Sequence, residues 1–232
     1  MGQRLLSDSA KHPDPTSSDQ SAEVPLTQLL TQYEIGATVE QLAQLDRFRE
    51  QLWSWNQKLN LTRHTTLEKF VTRDVLDSWE FCKLVDRRRR VLDVGTGGGV
   101  PGLVMAILRP ELSMSVSEST AKKDRVVEAI VQELQLPIEV YACRAEEVLQ
   151  IRTFDSLVVR GVAPLPKLLK WLHPYWDAFD ELLVIKGGKW VDERNEARHL
   201  GLLQGLELRK AATYQVRDTG AESVILKIWR PD

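Results

Sequence analysis

The chain has 232 residues, 43% hydrophobic and 28% charged, with a formal net charge of −2 at pH 7. That length suits one sizeable core with some extra helix rather than two equal domains, and the charge excludes bulk electrostatic attraction to nucleic acid, so any such contact must come from a local basic surface. No apolar run approaches the roughly 18 residues of a membrane span, and the N-terminus lacks the apolar core of a secretory signal. The two cysteines, Cys82 and Cys143, show neither metal-site nor disulfide-framework spacing. A soluble, cytoplasmic chain in a reducing compartment is expected, with no membrane and no metal as partner.

Residues 1–25 are rich in Ser, Asp, Gln and Pro and include Pro13, Asp14 and Pro15. Such a segment cannot bury enough apolar surface to offset its ordering entropy, so a disordered tail is expected there. From Val39 the pattern changes: Leu42, Leu45, Phe48, Leu52, Trp55 and Leu59 recur three and four residues apart, the stripe of an amphipathic helix. A second helix is predicted over Leu67 to Leu84. Residues 26–86 thus read as a helical extension that can cap the cleft of a main domain spanning 87–232. At the boundary Arg87, Arg88, Arg89 and Arg90 form the densest basic run. It can touch phosphates, although such runs more often form a solvated turn.

Short apolar runs then alternate with helical patterns. Val91 to Val94, Met114 to Val116, Ile138 to Tyr141, Leu157 to Val159 and Leu182 to Ile185 are strand-like, and Val126, Val127, Ile130, Val131 and Leu134 make a helical face. That rhythm predicts an α/β domain with a parallel sheet and crossover helices. Two further strands, Leu206 to Val216 and Ser223 to Trp229, are separated by the turn signal Asp218, Thr219, Gly220 and predict a closing antiparallel hairpin.

The most informative segment is Val91-Leu92-Asp93-Val94-Gly95-Thr96-Gly97-Gly98-Gly99-Val100-Pro101-Gly102. A buried strand ends at Asp93 and Val94, and Gly95, Gly97 and Gly99 permit backbone conformations that let a ligand lie on main-chain amides. Pro101 is compatible with a first helical turn. Gly97, Gly99 and Gly102 also satisfy the spacing of a dinucleotide fingerprint, but counted from Gly95 at the strand exit the third position falls on Val100. Alternate glycines straight after an Asp-bearing strand fit a methyltransferase better. Glu118 ends the second strand about twenty residues on, where an acidic side chain binds ribose hydroxyls, or caps the following helix.

Other residues narrow the chemistry. His12, His64, His173 and His199 are scattered, without spacing for a metal site. Trp53 and Trp55 straddle opposite faces of their helix, where core packing is the ordinary role of at least one. The end of the fourth strand reads Val158-Val159-Arg160-Gly161-Val162-Ala163-Pro164. It has neither the Asp/Asn-Pro-Pro-aromatic run that grips exocyclic amines nor the Pro-Cys nucleophile that attacks a pyrimidine ring. Acceptors with a ready lone pair, such as a purine ring nitrogen, remain.

At this point the residues resemble the 16S ribosomal RNA guanine-N7 methyltransferases, historically called glucose-inhibited division protein B. The likeness runs from about Leu52 to Gly188. It begins with Trp55-Asn56-Gln57-Lys58-Leu59-Asn60-Leu61-Thr62 and continues through Leu76-Asp77-Ser78, the glycine loop, Glu118-Ser119 with Lys122-Lys123, Arg144-Ala145-Glu146-Glu147, Val159-Arg160 and Ile185-Lys186-Gly187. The resemblance implies a Rossmann-like, seven-stranded, S-adenosylmethionine-dependent methyltransferase fold with an N-terminal helical extension. It places Gly95, Val100, Ala145, Glu146 and Arg160 at the cofactor, with Gly97, Gly99 and Glu118 joining them on physical grounds. Its implied partner is small-subunit ribosomal RNA or the 30S particle, with a monomer expected; the low net charge leaves phosphate contact to a few placed cations, Arg63, Arg73 and the Arg87 to Arg90 run, and Lys186, a further substrate contact, is expected with Arg160 to border the cleft at the strands' carboxyl ends. Three departures stand out: Arg73-Asp74 where the family usually has Arg-His, Glu118 where it has Asp, and Val159-Arg160-Gly161-Val162-Ala163 where it has Ser-Arg-Ala-Phe-Ala. Two other readings remain at this stage: a non-catalytic ribosome-binding or cofactor-sensing protein on the same fold, and an NAD-dependent oxidoreductase.

Overall fold

The structure, a computed structural model, describes residues 24–216 and 220–231. All but the last two residues of the tail expected over 1–25 lie outside the described residues, as do Asp218 and Thr219 of the expected turn.

The helical extension opens with α1 (Leu26–Gln32), a short helix that no periodicity announced, and α2 (Val39–Asn56). Thr38 and Gln41 begin α2 with a reciprocal capping box, in which Gln41 N donates to Thr38 Oγ1 and Thr38 N donates to Gln41 Oε1. Leu45, Phe48 and Leu52 of the predicted stripe are fully buried, while Leu59 falls in the loop beyond the helix end. The helix expected to run unbroken from Leu67 to Leu84 has three parts: α3 (Leu67–Lys69), a π-helical stretch Phe70–Val75, and α4 (Leu76–Leu84). The wider π turn leaves the Arg73 carbonyl to accept from a side chain, a use often found at functional sites.

Strands and crossovers then alternate: β1 (Arg90–Val94), α5 (Gly102–Leu108), β2 (Ser113–Ser117), α6 (Ala121–Glu133), β3 (Glu139–Tyr141), α7 (Ala145–Leu149), β4 (Phe154–Arg160), α8 (Leu165–Leu172) and β5 (Phe179–Lys186). After α9 (Trp190–His199) come β6 (Glu207–Val216) and β7 (Ala221–Trp229). The sheet order is β3-β2-β1-β4-β5-β7-β6, with β1 to β5 parallel and β7 antiparallel to both its neighbours. Each face of the sheet carries its own apolar cluster. One joins Val116, Leu103 and Ile130 to Leu45, Phe48 and Leu52 of the extension; the other packs α7, α8 and α9 against Leu157, Leu182 and Leu226. The extension therefore shares a core with the sheet and is held over the carboxyl end of β1, where the chain reverses between β1 and β4. That reversal is where ligands bind in open α/β sheets.

Candidate functional site

The loop leaving β1 takes positive φ at three glycines, 70° at Gly95, 63° at Gly97 and 92° at Gly99, so that three left-handed residues fold it tightly against the strand end. A β-carbon on Gly97 would enter open space, whereas one on Gly102 would lie 2.5 Å from Val116 Cγ1 and 2.9 Å from Asp93 Oδ2. Gly97 thus keeps room for a ligand, and Gly102 keeps room for α5 to touch the sheet. The Gly102 N–H donates to Asp93 Oδ2 at 2.8 Å. Pro101, expected inside the first helical turn, stands just before it at the cap position. Burial pushes the fully enclosed Asp93 carboxyl up to about 6, against the opposing pull of the Thr96 hydroxyl and the Gly102 amide.

Glu118, at the end of β2, bridges two elements. Its Oε2 accepts from Gly97 N at 3.0 Å and its Oε1 from Thr120 N at 2.7 Å, next to the start of α6. Both alternatives raised by the sequence, ligand binding and helix capping, meet in this side chain. A carboxylate has about four acceptor positions, so two remain. A cleft of 430 Å³ is lined by the glycine loop with Glu118, Ser119 and Lys123, by Leu52, Leu61, Thr62 and Asp74 of the extension, and by Arg160, Gly161 and Val162 after β4.

Arg160, the last residue of β4, is fixed by the extension. Its Nη1 donates to the Arg73 carbonyl at 2.9 Å and to Asp77 Oδ2 at 3.2 Å, and its Nη2 donates to Asp74 Oδ1 at 2.8 Å. Burial opposes its charge, but Asp74 and Asp77 outweigh that and raise its pKa. Three of the five guanidinium hydrogens are thereby used. Asp74 Oδ1 also meets His64 Nδ1 at 2.8 Å, and Asp77 Oδ1 accepts from the Tyr214 hydroxyl at 2.6 Å. Burial pushes Asp77 upward, against Arg160 and Tyr214, and burial beside Asp77 pushes the Tyr214 hydroxyl upward as well.

Of the residues singled out from sequence, Gly95, Gly97, Val100, Glu118 and Arg160 line the cleft. Gly99 supports it from behind, where a β-carbon would meet Leu103 and Phe48. Ala145 and Glu146 open α7 beyond the end of β3, outside the cleft walls but beside the β2 end that carries Glu118. Arg63 is exposed on the loop before α3, and Arg73 is half-buried with its carbonyl on Arg160. Lys186 stands apart from the cleft: its Nζ donates to the Ala163 carbonyl and pairs with Glu193, both at 2.7 Å. The Arg87 to Arg90 run lies at the amino end of β1, the opposite pole from the cleft, where Arg89 pairs with Asp180 and Arg90 with Asp155. Thr62, Asp74 and Lys123 went unrecognised as wall residues. Asp74 was marked only as a departure from the family, while Thr62 and Lys123 stand within motifs quoted for the resemblance without a role given to them. Cys82 and Cys143 are free thiols, and no group of three potential metal ligands occurs among the described residues. Among them no helix is long and apolar enough to cross a membrane.

The fold and the cleft together define a Rossmann-like α/β architecture that methyltransferases of known structure share. Its shape is similar to that of an O-methyltransferase from Bacillus cereus crystallised with S-adenosylhomocysteine, with a TM-score of 0.57 at 15% identity, covering 88% of this chain and 96% of that one. A methyltransferase from Pyrococcus furiosus gives a TM-score of 0.54 at 14% identity over 81% of this chain and 98% of that one. The particular family comes from sequence. The profile described as rRNA small subunit methyltransferase G matches residues 41–218. A protein named ribosomal RNA small subunit methyltransferase G from Rhodopirellula baltica is 47% identical over 178 residues, 77% of each chain. One of the same name from Anaeromyxobacter sp. is 32% identical over 82% of this chain and 89% of its own. The chain belongs to this family.

Proposed function

We propose that the chain transfers the methyl group of S-adenosylmethionine to N7 of a guanine in small-subunit ribosomal RNA, acting as a cytoplasmic monomer on the RNA or the 30S particle. The observation that carries this reading is the lining of the cleft. It combines the glycine loop and the Glu118 carboxylate with Arg160-Gly161-Val162, and it has no nucleophilic thiol and no amine-gripping proline pair. S-adenosylmethionine supplies an electrophilic methyl group when bound. The open space at Gly97 admits its amino-acid end, and the Glu118 positions still unused suit its ribose hydroxyls. Guanine N7 already holds a lone pair, so the chain must align rather than deprotonate the acceptor. Alkylation builds positive charge on the base. Arg160 does not oppose it strongly, because Asp74 and Asp77 already balance the guanidinium.

The test is transfer of a labelled methyl group by purified protein to small-subunit RNA or 30S particles from a strain lacking this gene. RNA from the parent strain, already methylated, is expected to take no label. Cleavage with borohydride and aniline followed by primer extension reads the site. Label on an exocyclic amine, a pyrimidine or protein would overturn the assignment. Tight cofactor binding without any transfer would favour a non-catalytic ribosome-binding protein.

A further inference from the structure

His64 belongs to none of the cofactor contacts above, yet it is held more firmly than an ordinary loop residue. Asn56 Oδ1 accepts from Leu61 N at 2.8 Å and from Thr62 N at 3.0 Å, which turns the chain sharply after α2. Trp53 Nε1 donates to the His64 carbonyl at 2.9 Å, and His64 N donates to Thr62 Oγ1 at 3.0 Å. The backbone on both sides of the cleft residues Leu61 and Thr62 is therefore pinned to α2. The imidazole then makes one side-chain contact, through Nδ1 to the fully buried Asp74, on the same oxygen that holds Arg160 Nη2. Two bonds of 2.8 Å to one carboxylate oxygen tie the loop, the π turn and the end of β4 together. Because Nδ1 faces Asp74, the partial exposure of the side chain, 25%, lies on the rest of the ring.

We infer that His64 is a positioning residue for the acceptor: through Asp74 it fixes Arg160 and the Leu61–Thr62 wall relative to the end of β4, and so sets the gap through which the guanine enters. The inference rests on the methyltransferase reading above. It assigns work to Nδ1, the nitrogen turned away from solvent, and none to Nε2. Gly97 and Glu118 are held by each other and by Thr120 rather than by the latch, so the inference gives the latched Arg160 to the acceptor side and expects S-adenosylhomocysteine to bind with or without the latch.

Two isosteres separate the ring nitrogens. The amide nitrogen of Asn reaches the place of Nδ1, and that of Gln reaches the place of Nε2. His64→Ala and His64→Gln are expected to lower kcat on 30S particles from the deletion strain by about tenfold to a hundredfold, the range for a misplaced reactant. His64→Asn should restore most of that loss, with S-adenosylhomocysteine affinity by calorimetry unchanged in all three. Thermal melts identify any variant that fails to fold, and the Asn and Gln variants then decide the question. Rescue by Gln and not by Asn would overturn the inference, by assigning substrate contact to Nε2. Loss of S-adenosylhomocysteine affinity in proportion to turnover would overturn it too, since the latch would then serve the cofactor. In both cases the unsubstituted protein still methylates RNA. If the unsubstituted protein transfers nothing, the methyltransferase reading fails and the inference falls with it.

Discussion

Replacing Gly102 by Ala tests how the glycine loop is anchored. The added methyl would lie 2.5 Å from Val116 Cγ1, on a strand with no room to retreat, and 2.9 Å from the Asp93 oxygen that receives the Gly102 amide. Overpacking a tight core costs about 1–3 kcal/mol, and weakening a hydrogen bond to a carboxylate adds about 1.5–3 kcal/mol. The sum is about 2.5–6 kcal/mol, and Ala's better helix propensity recovers little of it at the first position of a helix. Urea unfolding at neutral pH, with the slope checked for two-state behaviour, measures it. Gly97→Ala is the control. Its β-carbon meets nothing, so only the left-handed backbone cost of about 1–2 kcal/mol applies, and the larger effect should be on S-adenosylhomocysteine affinity. A Gly102→Ala midpoint within about 1 kcal/mol of the parent would refute the claim that direct contact between α5 and β2 holds the loop in shape.

Three further expectations follow. Glu118→Ala removes the acceptor of both Gly97 N and Thr120 N and should weaken S-adenosylhomocysteine binding by about 1.5–3 kcal/mol, while Glu118→Asp costs less; equal losses in calorimetry would mean that helix capping is the whole role. Asp93 titrates at about 6 in the fold against an ordinary 3.8, so its contribution to stability is fully present below about 4 and is lost as pH rises through 6, by about 3 kcal/mol. Asp93→Asn should flatten that slope in urea titrations between pH 4 and about 6.5, and an unchanged slope would place the titration elsewhere. Lys186→Met leaves Glu193 with the Leu165 amide but no cation and should cost about 1–3 kcal/mol, read as a lower melting temperature; a matching loss of S-adenosylhomocysteine affinity would show that Lys186 reaches the cleft after all.

The central strands β1 and β4 were legible because each is an apolar run buried on both faces, and the glycine loop because its residues have few other uses. Glu118 was legible from its distance along the chain. The π turn was not, since Phe70 to Val75 keep an apolar pattern that an unbroken α-helix satisfies equally well. Short α1 escaped for lack of length. Lys186 and Arg160 looked alike in sequence, as cations ending adjacent strands, and only tertiary partners separate them: Glu193 on α9 takes one, and Asp74 and Asp77 of the extension take the other. His64 was dismissed with the scattered histidines because its partner stands ten residues away on another element. Spacing rules detect pairs on one helix face; they do not detect a loop folded back onto a helix.

The position of β7 sets an order of events during synthesis. It follows β6 in the chain but lies between β5 and β6 in the sheet, pairing with both. When β6 leaves the ribosome it has no strand to join, because its only neighbour has not yet been made. The growing chain must therefore carry β6 as a loose segment, its backbone amides and carbonyls unmatched, until Ala221 to Trp229 emerge and slide in against β5. The five parallel strands can pair as they appear, whereas the hairpin can join only as a unit. A pause in translation just before β7 would leave β5 as an open edge and β6 free to pair with the same strand of a neighbouring nascent chain.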